Sequence, residues 1–341
     1  MTLLCRRDFV TRCGLAAIGG LLLPSLVSSV SLQAAVPANR FLTAGDQTVL
    51  KLLSKYGADT YLHGSSVFAR AAGVAATGDP VEVLVLVNDY EKLFAFLHSA
   101  AIKRLGVVRA DGNRLNFRFR GTAYTVTNAG ADDFRQTVAN LSSTAAGASG
   151  TTVAAAFTYQ TLLYHPSTDA VLDPALSLKK QRIELAAQPT GDLKSQFQTV
   201  LQGWLAAKQY GLPFGKMFKK FQRALLTSET TPAAAQQVAQ AFVQNITALS
   251  SAYDAASLRT LLLSPLVAGS LNTVLHVNAE AVADRVEALR STTAADTSDA
   301  AIWLAVLLAP QLKDGTAGQW INGTDAPSRV ALDAASQLAQ G

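Results

Sequence analysis

The chain is 341 residues long and carries 29 Lys or Arg against 24 Asp or Glu, a formal net charge of +5 at pH 7. This length favours two domains over one, and so mild a charge does not by itself indicate a nucleic-acid-binding protein. Both cysteines lie within the first 13 residues and the four histidines are scattered, so we predict no zinc site.

Residues 1–38 have the pattern of a twin-arginine signal peptide. Arg6 and Arg7 are adjacent and precede a modestly apolar stretch, residues 13–32, that is rich in Gly, Ala and Leu. A retained membrane anchor is the alternative, but Pro24 and the glycines weaken this stretch as a span. Small residues follow at three positions where a signal peptidase could cut: Ala34, Ala35 and Ala38.

These features predict a bacterial protein that the twin-arginine export machinery delivers to the periplasm or the medium. Once processed, the chain is expected not to span the membrane. Its partner there is expected to be an envelope component or a small ligand.

Residues 39–190 are predicted to form a head domain with a mixed sheet. Residues 81–87 are almost continuously apolar, which is typical of a buried strand. A small-residue loop is predicted over 142–152. Apolar spacing elsewhere predicts helices over 46–56, 67–72, 89–105 and 131–141, strands over 59–62, 107–110, 114–120 and 123–127, and a hairpin formed by 156–164 and 170–173.

Residues 191–341 are predicted to be helical throughout, because apolar residues recur there at helical spacing between short polar breaks. The predicted fold class is therefore α+β, a mixed-sheet head followed by an all-α domain. The predicted helices cover residues 193–210, 214–226, 232–253, 255–263, 279–290, 299–312 and 327–339.

Three stretches of the head resemble a known family. Gly64, Ser65 and Ser66 form a turn before a helix, Val81-Glu82-Val83-Leu84-Val85 follows as a strand, and residues 157–174 form a third segment. Together they resemble the nucleotidyltransferase head of bacterial tRNA CCA-adding enzymes and poly(A) polymerases. Residues 197–212 are similar to the helix that opens the neck domain of that family. The resemblance implies a two-metal site that three carboxylates hold.

The departures from that pattern predict a chain without this activity. Glu82 matches the first acidic position, but Leu84 stands at the second, and Thr125 is the nearest match to the third. One carboxylate cannot hold two divalent metal ions, which need hard oxygen ligands. We therefore expect no cofactor, no metal and no nucleic-acid partner, and a binding or scaffolding role in the cell envelope. The alternative is a residual or repurposed enzyme that acts on a nucleotide or another phosphorylated compound.

Four features of the sequence each allow two interpretations. The Gly64–Ser66 turn could cradle an anion or merely cap a helix through Ser65 or Ser66. Glu82 could border a cleft or form an ion pair with a base such as Arg70. His63 could act as an acid–base group or pack as an ordinary buried residue. The last is a set of cations that is either a solvated helix face or a contact for a polyanion: Lys216, Lys219, Lys220 and Arg223.

Overall fold

The structure is a computed structural model whose chain divides into two compact units, residues 1–187 and 188–341. The described residues are 32–33, 42–55, 59–74, 80–87, 89–99, 107–111, 114–128, 155–173, 175–293, 297–321 and 326–340.

The first unit is built on one mixed sheet of eight strands among the described residues, in the order β1-β8-β7-β2-β3-β6-β5-β4. β3 and β6 pair in parallel, and every other neighbouring pair is antiparallel. The strands are β1 (Leu32–Gln33), β2 (Asp59–His63), β3 (Val81–Leu86), β4 (Val108–Asp111), β5 (Arg114–Phe119), β6 (Thr122–Asn128), β7 (Leu163–His165) and β8 (Ala170–Leu172).

The central strand β3 is covered on both faces. Val83 and Leu84 point to opposite sides of the sheet because they are adjacent, and the exposed fraction of each is 0%. Both residues therefore lie in the core, on the buried strand that was predicted over residues 81–87. A strand that is buried on both faces reads as a continuous apolar run, which is the pattern of its sequence.

Four helices of the first unit lie among the described residues: α1 (Ala44–Ser54), α2 (Ser65–Ala72), α3 (Tyr90–Leu97) and α4 (Ser177–Lys180). A capping box fixes the start of α1, because Thr43 accepts from the Asp46 N–H while the Asp46 carboxylate accepts from the Thr43 N–H. α3 ends at Leu97, earlier than the predicted end at residue 105. Residues 100–106, the predicted helix over 131–141 and the predicted loop over 142–152 lie outside the described residues.

The predicted hairpin over 156–164 and 170–173 is shorter in the structure. Residues Thr158–Thr161 form a 3₁₀ turn, and only β7 and β8 form the hairpin. The side chain of Gln160 causes the difference. Its Oε1 accepts from the backbone N–H groups of Ala156 and Phe157, at 3.0 Å each, and closes a turn where we predicted a strand.

The second unit is helical among its described residues. This arrangement confirms the predicted α+β class, a mixed-sheet head followed by a helical domain. Its helices are α5 (Leu193–Tyr210), α6 (Lys216–Leu226), α7 (Pro232–Ala252), α8 (Ala255–Leu262), α9 (Pro265–Leu275), α10 (Ala279–Thr292), α11 (Asp299–Leu307), α12 (Ala309–Lys313) and α13 (Ala326–Gln340).

Two breaks in this unit occur at prolines. α9 was missed in the sequence because Ser264 and Pro265 read as the end of a helix, whereas Pro265 occupies the first turn of a new one. The helix predicted over 299–312 divides at Leu308 for the same reason, with Pro310 in the first turn of α12. No single helix of the described chain has both the length and the apolarity to cross a membrane; α8 and α9 meet that test only as a pair, bent by 75°.

Candidate functional site

The candidate site lies where β2, β3 and β6 run side by side. The register places Glu82 directly opposite His63 on β2 and opposite Thr125 on β6. Leu84 lies two residues further along β3, so it points to the same side of the sheet as Glu82. The three positions that the resemblance assigns to the carboxylates are therefore neighbours on one face.

The turn before α2 approaches Glu82 closely. Gly64 has φ +81° and ψ −157°, a conformation that residues with a side chain rarely adopt. A Cβ atom added to Gly64 would lie 2.1 Å from Glu82 Oε2. The Gly64 N–H donates to the Leu162 carbonyl at 3.1 Å. Glycine is thus required here both for its backbone angles and for the space that the carboxylate occupies.

The interpretation of Ser65 or Ser66 as a helix cap is wrong. Gly64 is the N-cap of α2, and no side chain caps this helix. The Ser66 hydroxyl instead points back toward the His63 carbonyl, at 3.5 Å. Ser65 and Ser66 form the first turn of α2 beside a carboxylate, so an anion at this turn would meet negative charge as well as backbone N–H groups.

Arg70, the base given above as an example of an ion-pair partner for Glu82, forms an ion pair with Asp46. Its guanidinium binds both oxygens of Asp46, at 2.8 and 3.3 Å. The hydroxyl of Tyr124 donates to Asp46 Oδ1 at 2.8 Å, and Asp46 is fully buried. The capping-box pattern at Thr43 was the signal in the sequence for this network, which joins α1, α2 and β6.

Glu82 is partly open to solvent, with 39% of its side chain exposed, and its Oε2 lies 3.4 Å from His63 Nδ1. His63 itself is buried, and neither ring nitrogen has a hydrogen-bond partner among the described residues. Burial, with a smaller contribution from the positive charge of Arg114, lowers the pKa of His63 to about 4. His63 is therefore a neutral, packed residue near pH 7 and a poor acid–base group.

Leu84 fills the second carboxylate position with hydrocarbon. Its exposed fraction is 0%, and it packs with Tyr61 and Leu163. Partly buried apolar side chains close around this cluster: Leu86, Ala155 and Leu172. We call these six residues the Leu84 cluster.

The residues present do not fit a pair of divalent metal ions. Thr125, opposite Glu82, carries no charge, and Leu84 offers no lone pair. In the described part of the chain, no three His, Cys, Asp or Glu side chains gather closely enough to hold a metal ion. The face can accept one hydrogen-bonded or weakly charged group at Glu82, but it lacks the ligands for two-metal chemistry.

Comparisons with solved structures give the fold a precedent. A CCA-adding enzyme in complex with ATP is similar, with a TM-score of 0.53, 12% identity, and coverage of 86% of this chain and 68% of that one. A tRNA-processing enzyme in an apo form has a TM-score of 0.49, 11% identity, and coverage of 88% and 78%. A tRNA nucleotidyltransferase with a primer tRNA and an ATP analogue has a TM-score of 0.42, 12% identity, and coverage of 82% and 81%.

No family model and no curated protein matches the sequence. At 12% identity the structural likeness speaks to fold and not to activity. It agrees with the resemblance of the turn at Gly64, the strand at Glu82 and the segment over 157–174. The described part of this chain has the fold of the CCA-adding tRNA nucleotidyltransferases.

Proposed function

We propose that this protein is a catalytically inactive nucleotidyltransferase-fold protein that is exported and acts by binding a partner in the cell envelope. The observation that carries the proposal is Leu84, which is fully buried among apolar side chains at the position where the related site needs its second carboxylate.

The chemistry supports inactivity through the charge that is missing. Two divalent ions carry four positive charges, and their dehydration is offset only when several anionic oxygens surround them. Glu82 supplies one such group, and Thr125 adds none. A substrate 3′-hydroxyl at this face would find neither a metal to lower its pKa nor a base, because His63 is buried.

The proposal of export derives from the paired Arg6 and Arg7. The twin-arginine receptor recognises both guanidinium groups, and Lys does not reproduce their planar geometry. Changing both to Lys is expected to leave the precursor in the cytoplasm. The processed form of the unchanged chain, recovered from the envelope, is expected to begin at Ala35, Val36 or Asn39. Normal export of the double variant would remove the basis for the envelope role.

A second candidate function is binding of a phosphorylated small molecule at the Gly64–Ser66 turn. It is favoured by the absence of a side-chain cap on α2, which leaves the first turn of the helix open to an anion. Glu82 argues against it, because its carboxylate lies against Gly64 and would repel a phosphate unless a cation lay between them.

One experiment separates the two candidates. Binding to the native state raises the free energy of unfolding by RT ln(1 + [L]/Kd), about 2.7 kcal/mol when the ligand is at a hundred times its Kd. We expect millimolar ATP with magnesium or manganese to leave the melting temperature unchanged, and no nucleotide to be added to any RNA end. Glu82→Gln, which keeps the shape and removes the charge, is the matched variant.

A shift of several degrees that Glu82→Gln abolishes would overturn the inactive assignment and favour the second candidate. The boundary between the two units falls between Ala187 and Gln188, so Glu82 lies in the first unit. Ligand effects should therefore be followed by a probe of the first unit as well as by global unfolding.

A further inference from the structure

The second unit has no net charge, but its charges are strongly separated along the chain. Residues 188–341 contain eleven Lys or Arg and eleven Asp or Glu. Residues 193–228 hold six of these cations and no acid, while the remainder holds five cations and all eleven acids. Such asymmetry concentrates positive charge on α5 and α6, where anions are attracted.

Helix α6 displays four of the six cations as a single row. Lys216, Lys219, Lys220 and Arg223 recur at helical spacing, so they share one face, and all four are exposed. None of them forms an ion pair with another described residue. The opposite face is fixed in the core of the unit by three buried side chains: Phe218, Phe221 and Leu225.

The basic row encloses a shallow depression and lies beside an exposed apolar side chain. The depression has a volume of about 420 Å³, and the four cations line it together with Ala224 and Thr227. Met217 is 52% exposed, one of two large apolar side chains that lie so open among the described residues. We call the four cations and Met217 the α6 surface.

We propose that the α6 surface docks the protein peripherally on a bilayer that contains anionic phospholipids. The apolar face of α6 is buried in the unit, so its cations project into solvent about one helical turn apart. This spacing suits a plane of phosphodiester headgroups. The depression has room for a headgroup among the cations. Met217 adds a flexible apolar group that can enter the acyl boundary, a contact that a nucleic-acid backbone would not provide.

This inference goes beyond the proposed function and does not depend on the inactive site. The α6 surface belongs to the second unit, whereas Glu82 and Leu84 belong to the first. Failure of membrane binding would leave the inactive assignment intact. Nucleotide binding at Gly64 would likewise leave the α6 surface untouched.

The test measures binding to vesicles of phosphatidylethanolamine with about 30 mol% phosphatidylglycerol, so that about one lipid in three carries a negative charge. The full chain and the processed chain recovered from cells are compared, because the leader is itself apolar. The test variant neutralises the row: Lys216→Gln, Lys219→Gln, Lys220→Gln and Arg223→Gln. The control makes the same change in net charge at exposed sites elsewhere: Lys51→Gln, Arg285→Gln, Lys313→Gln and Arg329→Gln.

Each cation near an anionic membrane contributes roughly fivefold to partitioning, so the test variant is expected to lose about two to three orders of magnitude. The control is expected to bind within severalfold of the unchanged chain. Salt is expected to weaken binding, because the Debye length is about 8 Å at physiological ionic strength. Met217→Gln is expected to weaken binding to vesicles severalfold and to leave any binding to RNA unaltered.

Three results would overturn the proposal. The first is equal binding by the test and control variants. The second is equal binding to vesicles made of phosphatidylcholine alone. The third is binding to a single-stranded RNA that is tighter than binding to the vesicles and that the same four substitutions abolish. This result would assign the α6 surface to nucleic acid instead.

Discussion

Leu84→Asp places a carboxyl at the position that the resemblance assigns to a second acid, and we expect it to weaken the fold without creating a metal site. Leu84 is 0% exposed and packs against Tyr61 and Leu163. Removing a buried leucine side chain costs about 2–5 kcal/mol, and an unpaired polar group adds roughly 1–3 kcal/mol. The total approaches the whole stability of a typical domain, about 5–15 kcal/mol.

The penalty is expected to depend on pH with a defined sign. Burial disfavours the charged form, so the pKa of the introduced carboxyl is raised in the folded state above its unfolded value of about 3.9. The folded state then binds a proton that the unfolded state has released. The variant therefore loses stability as the pH rises through that value toward the raised pKa, by up to about 1.4 kcal/mol per pH unit.

Urea unfolding followed by circular dichroism at pH 4 and pH 8 measures both effects. Leu84→Asn is the matched control, because it has the same shape without a titratable proton, and Leu84→Ala gives the cavity cost if the Asp variant does not fold. A cost below about 1 kcal/mol, no pH dependence beyond the Asn variant, or stabilisation by magnesium would refute the reasoning. Each of these would mean that the face at Leu84 is an open cleft.

Three further substitutions test the surroundings of the site. Gly64→Ala should cost roughly 1–3 kcal/mol for an unfavourable backbone conformation and should displace the Glu82 carboxylate, whose Oε2 would lie 2.1 Å from the new Cβ; adding Glu82→Ala should leave the backbone cost in place. Asp46→Asn should cost about 3–5 kcal/mol, as measured by urea unfolding, because it removes the charge of a fully buried carboxylate that the Arg70 guanidinium contacts. Burial opposes ionisation of Asp46, but Thr43 and Arg70 outweigh it and lower its pKa, so the stability that this acid contributes should disappear as the pH falls. The pKa of His63 is lowered to about 4, so the unfolded chain takes up a proton first; stability should fall by roughly 3 kcal/mol as the pH drops from about 6.5 to about 4, and His63→Leu should abolish that slope.

The elements that could be predicted are those that the spacing of apolar residues along the sequence indicates. The apolar run at residues 81–87 predicted a buried strand, which the structure has as β3. Its register, which places Glu82 opposite Thr125, was not predicted. Regular spacing likewise predicted α5, α6 and α7, because each helix must bury one stripe of apolar side chains.

The parts that could not be predicted depend on contacts between distant residues or on side chains that replace backbone partners. Gln160 closes a turn by accepting two backbone N–H groups, which β propensity alone does not show. The ion pair of Arg70 with both oxygens of Asp46 joins residues 24 positions apart, which apolar periodicity does not show. β1 (Leu32–Gln33) pairs with β8 although it lies within the predicted signal peptide. If cleavage follows Ala34, Ala35 or Ala38, the mature sheet keeps seven of the described strands.

The two positions on β3 differ in what a carboxylate costs at each of them. Without metal ions, a carboxylate at Leu84 would be desolvated between Tyr61 and Leu163, a cost that a leucine converts into apolar burial. The Glu82 side chain is 39% exposed. Its charge therefore remains solvated and costs the fold little free energy. On the proposed function, a ligand set for two metal ions would need carboxylates at both Leu84 and Thr125, and neither change alone would provide it. The change at Leu84 also carries the cost of burying a charge, whereas Glu82 shows that an acid at the more open end of the strand is tolerated.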